Sequence, residues 1–397
     1  MSEFSIPGVR LGVAQAGIKY ERRDDLTLIE IAEGSSTAAV FTLNAFRAAP
    51  IVVAERNNVS QDARYILINS GNANAGTGKP GMDACEASCT AVAKLTNDIP
   101  NRVLPFSTGV IGEVLPVQKI EAALPEAIAD LSEANWTRAA RAIMTTDTRP
   151  KLRAKTVEVN GKFCRIVGMS KGSGMIQPNM ATMLGFITTD AAIPAVMLDG
   201  ILRAAVNLSF NRITVDGDTS TNDAVTITAT GQSEFVISPS TTDEAEAFQS
   251  ALTALAAELA QDIVRDGEGA TKFVAIEVSG ATSVTEADSV GRTVAHSPLV
   301  KTALFASDPN WGRILAAIGR AGLEDLDVDA VSLSINGVLI AENGARAGSY
   351  TEQAGIAAMA PADLLISIDL ARGSETGTIW TTDFSFDYVK INSEYRT

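Results

Sequence analysis

The stretch Lys171–Asp190, KGSGMIQPNMATMLGFITTD, changes character along its length. Gly172 and Gly174 make a turn, Pro178 and Asn179 prolong it, and Leu184–Thr189 reads as a buried strand. Thr182 therefore stands at the mouth of a strand. A threonine hydroxyl needs a base to become a nucleophile, and the chain holds one histidine, His296. A Ser-His-Asp or Cys-His arrangement has a single candidate base, and a histidine-based metal site lacks ligands. A threonine at a new chain terminus supplies its own base: the α-amine titrates at about 7.7 to 8.0 and sits on the same residue as the hydroxyl. Freeing that amine requires a cut between Ala181 and Thr182, by attack of the Thr182 hydroxyl on the preceding carbonyl. On pattern alone, an ordinary strand entry is the better reading.

Composition sets outer bounds. A chain of 397 residues can bury a large core, and 46% hydrophobic with 20% charged residues is ordinary for a globular protein. A net charge of −15 without clustered Lys and Arg argues against nucleic acid. Cys85, Cys89 and Cys164 form neither an even disulfide framework nor a metal pattern. The start shows no signal-peptide core and no run approaches the ~20 apolar residues of a membrane span, so a cytoplasmic protein is expected.

Taken in order, Leu26–Ala32, Ala38–Leu43 and Ile51–Ala54 read as β-prone runs. Tyr65–Asn69 is a short strand ending in a Gly/Asn loop. That loop fails the phosphate-binding pattern because Pro80 follows Lys79, and it leads into a helix from about Asp83 to Leu95. Arg102–Phe106 is a strand, Ser107–Gly112 a turn, and Val117–Leu131 a helix that Pro125 is expected to interrupt. A second helix spans Glu133–Met144, closed by the polar turn Thr145-Thr146-Asp147-Thr148, whose hydroxyls read as local caps. Asn160-Gly161 and Asn336-Gly337 mark hairpins. Pro194–Ser209 and Thr242–Arg265 are helices. Asp216–Asn222 lacks the glycine and the closing Glu of a calcium loop. Phe273–Ser279, Leu364–Leu370 and Thr378–Thr382 are strands, and Tyr388–Thr397 is expected to fray. His296 reads as a satisfied, non-catalytic residue. Strands and helices mixed without regular βαβ alternation give an α+β fold of layered sheets flanked by helices, with no linker between residues 100 and 260.

The chain resembles the ornithine acetyltransferase (glutamate N-acetyltransferase) family of arginine biosynthesis. The resemblance lies in the KGSGM…P…ATML segment, in NSGNANAGTG at Asn69–Gly78, STGVIG at Ser107–Gly112, MTTDTRPK at Met144–Lys151 and TVDGDTSTND at Thr214–Asp223. It continues through DGEGATK at Asp266–Lys272, DPNWGRI at Asp308–Ile314 and the terminal INSEYRT.

The resemblance implies a self-cleaving, N-terminal-nucleophile-like enzyme of the ornithine acetyltransferase fold. The cut falls between Ala181 and Thr182, giving an α chain (1–181) and a β chain (182–397) that stay together in one intertwined unit. Thr182 is then the acetyl-carrying nucleophile and Thr108 and Gly109 the oxyanion hole. Thr145, favoured over Thr146, touches substrate, as do Asn392 and the terminal Thr397. Glu268 meets the substrate ammonium, and Lys171 is assigned to the α-carboxylate, against a bland reading as a solvated turn lysine. The implied reaction is a ping-pong transfer from N2-acetyl-L-ornithine to L-glutamate with no metal or organic cofactor. Acetyl-CoA is a further co-substrate in bifunctional members, and two α and two β chains form a heterotetramer. Two alternatives share or discard the nucleophile: an autoprocessed amidohydrolase or aminopeptidase, and a non-catalytic binding protein.

Overall fold

The structure, a computed structural model, describes residues 3–60, 62–177 and 183–394. They fall into two compact units: Met1–Gly172, Gln177–Asn211 and Thr219–Ile263 form the first, and Ser173–Ile176, Arg212–Asp218 and Val264–Thr397 the second.

The first unit contains β1 (Val9–Ala14), β2 (Leu26–Ile31), β3 (Ser36–Phe41), α1 (Ala49–Asn57), β4 (Tyr65–Asn72), α2 (Gly78–Thr96), β5 (Val103–Val110) and α3 (Val117–Ala129). It continues with α4 (Trp136–Ala142), β6 (Lys151–Val159), β7 (Lys162–Lys171), β8 (Leu184–Thr189), α5 (Ala195–Asn207), β9 (Ala224–Ala229) and most of α6 (Thr242–Arg265). One sheet has the order β1-β2-β4-β5, the other β3-β9-β8-β7-β6. Their inner faces share a core that joins Leu11, Ile29, Ile68 and Phe106 to Val167, Met169, Leu184 and Phe186. Phe106 and Phe186 meet edge to face across it, 5.3 Å apart. The outer face of the first sheet is covered by Cys85, Cys89 and Val92 of α2 and by Ile120, Leu124 and Ala127 of α3. On the far face of the second, Gly168 leaves room for Leu255 and Leu259 of α6. The unit is thus helix, sheet, sheet, helix, the α+β layering that the irregular element order implies.

The second unit contains β10 (Phe273–Ala281), α7 (Val284–Ala295), α8 (Pro298–Phe305), α9 (Trp311–Gly319), β11 (Ser332–Ile335), β12 (Val338–Glu342), β13 (Ala345–Arg346), α10 (Glu352–Met359), β14 (Asp363–Asp369), β15 (Glu375–Thr382) and α11 (Phe386–Ser393). Its sheet has the order β13-β12-β11-β14-β10-β15. Val290 and Val294 of α7, Ile314 and Ile318 of α9 and Met359 of α10 share a core with Val274, Ile276, Leu333 and Ile366 of the sheet. Among the described residues no helix is long and apolar enough to cross a membrane.

Several expectations need correction. Ile51–Ala54 is not a strand; it lies in α1, where Pro50 at the first helical turn presets φ and Ile51, Val53 and Ala54 are buried. Pro125 does not break α3, because it sits on the exposed side of the helix, opposite Ile120, Leu124 and Ala127. Ser107–Val110 is not a free turn but the end of β5, paired in parallel with β4. Phe386–Ser393 forms a helix instead of fraying, capped by the Ser385 side chain on Tyr388 N–H. Both hairpins stand, with Asn160 and Gly161 at φ 54° and 77° and Asn336 and Gly337 at 46° and 77°.

Candidate active site

Side-chain alternation turns two of the expected site residues to the same face, and the turn after α4 brings a third to them. On β5, Leu104 and Phe106 face the core between the sheets, so Thr108 faces the same way; on β7, Val167 and Met169 do likewise, followed by Lys171. The Lys171 ammonium donates to Thr145 Oγ1 at 2.8 Å and Thr108 Oγ1 at 3.1 Å. Lys171 is 9% exposed and ends a strand, which overturns its bland reading as a solvated turn lysine.

Asp147 underpins this group. Its Oδ1 accepts from Lys151 Nζ at 2.6 Å and from Gly172 N–H at 2.8 Å. Its Oδ2 accepts from Thr145 N–H at 3.1 Å and lies 3.9 Å from Lys171 Nζ. Burial pushes this carboxyl up, but Lys171 and Lys151 outweigh burial and hold it at about 2. Gly109, at φ +136°, lies so close to the backbone of Gly71 and Asn72 that a side chain there would overlap them.

The end of β4 and the segment just before β9 brace the end of β5. Ser107 Oγ donates to Asn69 Oδ1 at 2.6 Å, Asn69 Nδ2 to Asn72 O at 2.8 Å, and Asn222 Nδ2 to Ser107 O at 2.9 Å. Sequence reasoning placed Asn69 at the end of a strand, Asn72 in a tight Gly/Asn loop and Asn222 in a polar loop, and gave none of them this bracing role. Asp147 it read as part of a polar cap. Its spacing of four from Lys151 was the available signal, but nothing local said that both would be buried.

In the second unit, Glu268 is 6% exposed and its Oε2 accepts from Asn392 Nδ2 at 2.8 Å. Glu268 N–H donates to Ser173 O at 3.0 Å, and Ser173 Oγ to Asp266 O at 2.6 Å. A side chain on Gly174 would overlap the Glu268 carboxylate. Asp216, whose carboxyl burial pushes up, accepts from Met175 N–H at 2.7 Å and Ile176 N–H at 2.9 Å. This loop carboxylate, which invited a calcium reading, is therefore engaged with the backbone of the glycine-rich turn. His296 caps the end of α7; burial and the charges of Arg292 and Lys301 push its pKa down to about 4, and its Nε2 has no hydrogen-bond partner. The expectation of a satisfied histidine therefore holds only in part.

The structure thus joins Thr108, Thr145 and Lys171 in one unit, with Gly109 beside Thr108, and joins Glu268 and Asn392 in the other. The nucleophile expected at Thr182, the bond after Ala181 and the terminal Thr397 lie outside the described residues.

The first unit thus combines layered α+β architecture with a buried ammonium that donates to two threonine hydroxyls. The chain belongs to the ArgJ family, whose model matches residues 10–397. It is 57% identical over 392 residues to the arginine biosynthesis bifunctional protein ArgJ of Methylococcus capsulatus, covering 99% of this chain and 96% of that one. It is 54% identical over 396 residues to the protein of the same name from Pseudomonas syringae pv. tomato, covering 99% and 97%. Among solved structures, the arginine biosynthesis bifunctional protein ArgJ of Bacillus halodurans is 41% identical with a TM-score of 0.49, covering 52% of this chain and 96% of that one.

Proposed function

We propose that the chain is a glutamate N-acetyltransferase of arginine biosynthesis, moving the acetyl group from N2-acetyl-L-ornithine to L-glutamate through an acetyl-threonine. The observation that carries the reading is the meeting of Lys171 with Thr108 and Thr145, one residue from each of three separate family motifs.

In this scheme the chain cleaves itself after Ala181. The Thr182 hydroxyl attacks the acetyl carbonyl and its own α-amine takes the proton. Thr108 and Gly109 stabilise the oxyanion, and ornithine leaves with that proton on its amino group, so the threonine ester remains. The glutamate amine then attacks the ester, the acetyl group passes to nitrogen and the hydroxyl is restored. Lys171 holds the α-carboxylate and Glu268, with Asn392, the substrate ammonium; Thr145 and Thr397 complete the contacts. The chemistry needs neither metal nor organic cofactor, and the threonine's own amine serves as the base, since burial makes His296 a weak one.

Interleaved strands support an α chain of 1–181 and a β chain of 182–397 that remain associated. β7 pairs with β8, and β3 with β9, so the second sheet draws strands from both sides of the cut. Acetyl-CoA as a second donor, and an assembly of two α and two β chains, are further parts of the proposal.

The test is the denatured mass of the purified protein, with its acetyl-transfer activity. Two chains, the second beginning Thr-Met-Leu, and [14C]acetyl passing from acetylornithine to glutamate are expected. Thr182→Ala should leave one chain of 41.5 kDa and abolish transfer. An uncleaved Thr182→Ala chain with full activity would overturn the scheme, and acetate released in place of acetylglutamate would make the protein a hydrolase. Acetyl-CoA in place of acetylornithine tests the second donor.

A further inference from the structure

We infer that Asp147 is a positioning residue that sets where the Lys171 ammonium meets the α-carboxylate of the substrate, with Lys151 as the buried counter-charge that keeps Asp147 in place. The inference rests on the proposed role of Lys171 and goes one layer beneath it.

Asp147 lies in the turn between α4 and β6, and its carboxylate ties that turn and the start of β6 to the end of β7. Through Oδ1 it holds Gly172 N–H, the residue directly after Lys171, and through Oδ2 it holds Thr145 N–H, the residue whose hydroxyl accepts from Lys171. It therefore fixes the backbone on both sides of the Lys171–Thr145 hydrogen bond. Its Oδ2 also stands 3.9 Å from Lys171 Nζ, an ion-pair distance longer than the 2.8 Å and 3.1 Å hydrogen bonds to the two threonines. A lysine drawn by Coulomb attraction towards a carboxylate, while hydrogen-bonded to two hydroxyls, is restrained in direction as well as in charge.

Lys171 and, beside it, the paired Lys151 keep the carboxylate ionised there. The side chains of Lys151 and Asp147 are 1% and 0% exposed and 2.6 Å apart. They approach from the α6 side of the second sheet: Arg153 and Lys155, two and four residues on, pair with Asp262 and Glu258 of α6. Lys171 projects from the opposite, inner face. Asp147 thus ties lysines of both faces of one sheet at its end. A fully buried ion pair adds little stability over a well-packed apolar pair. Its value here is a fixed negative charge against which Lys171 is set.

The test compares two acetyl donors that differ only at the group Lys171 would bind: N2-acetylornithine and N-acetylputrescine, which lacks the α-carboxylate. Self-cleavage is checked first by mass, so that only processed enzyme is assayed. Asp147→Asn should raise KM for N2-acetylornithine at least tenfold with kcat within about threefold, and leave kcat/KM for N-acetylputrescine within about threefold of the unsubstituted enzyme. If that single variant does not accumulate as folded protein, the charge-balanced Asp147→Asn/Lys151→Met double carries the same comparison. Unchanged KM for N2-acetylornithine overturns the inference. So does an equal loss with both donors, the signature of a purely structural role. Lys171→Met separates the two levels. If it too treats both donors alike, the carboxylate-binding role of Lys171 itself is wrong; if it discriminates while the Asp147 variants do not, only the role of Asp147 falls.

Discussion

Gly174 lacks a side chain because Glu268 occupies the place one would fill. The overlap is with the carboxylate itself, while the backbone of Gly174 does not lie in the left-handed region, so Gly174→Ala is a purely steric perturbation of Glu268. Its expected result is displacement of the carboxylate and loss of the Asn392 bond, with a stability cost on the order of 1–3 kcal/mol. Because Glu268 is assigned to the substrate ammonium, KM should rise more than kcat falls; a variant with unchanged KM would separate Glu268 from the substrate. The residue scale is also where sequence legibility was most uneven. Thr108, Thr145 and Lys171 could be nominated from motifs, and they do meet. Asp147, which arranges them, could not, since an Asp in a Thr-rich turn looks like a cap until both lysines are found buried against it.

α3 carries a proline at its centre and remains a helix. Pro125 cannot donate to the carbonyl one turn earlier, that of Glu121, but both residues lie on the exposed side of the helix, where that oxygen is not shut in the core. Pro125→Ala restores the bond and should stabilise the protein by about 1–2 kcal/mol, the gain reduced by the larger entropy of the unfolded chain. A shift of the urea midpoint upward with unchanged slope is the expected reading; no shift would mean that the helix has adapted fully to the proline. Elements were legible where their signals are local and were missed or mistyped where packing decides. Thr242–Arg265 and both Asn-Gly hairpins were legible because their signals are local. Val9–Ala14 passed unnoticed and Ile51–Ala54 was misassigned, because β-branched residues suit either a strand or the buried side of a short helix, and packing against the shared core decided.

In each of the two units a buried titratable group ties stability to pH. In the first, Asp147 is lowered from 3.8 to about 2, so its stabilising effect is complete above the unfolded value and is lost as pH falls through the folded one. That loss is on the order of 2 kcal/mol between about pH 5 and pH 2. In the second, Lys301 is fully buried, with its ammonium on Thr381 Oγ1 at 2.8 Å, and burial, opposed by Asp216 and Asp383, pushes its pKa down to about 7. The unfolded lysine titrates near 10.4, so the sign is reversed. Below pH 7 both states carry the proton and the folded one bears the whole cost of burying an ammonium. From pH 7 to about 10 only the unfolded chain holds it, and stability rises with pH. Lys301→Met removes the charge and keeps the length of the side chain. The variant should be more stable than the unsubstituted protein at pH 6, by roughly 2–3 kcal/mol after loss of the Thr381 bond, with the advantage shrinking steadily towards pH 10. Urea unfolding of both proteins at pH 6, 8 and 10 measures this directly. A difference independent of pH would show that Lys301 keeps an ordinary pKa in its buried site, held ionised by Asp216 and Asp383.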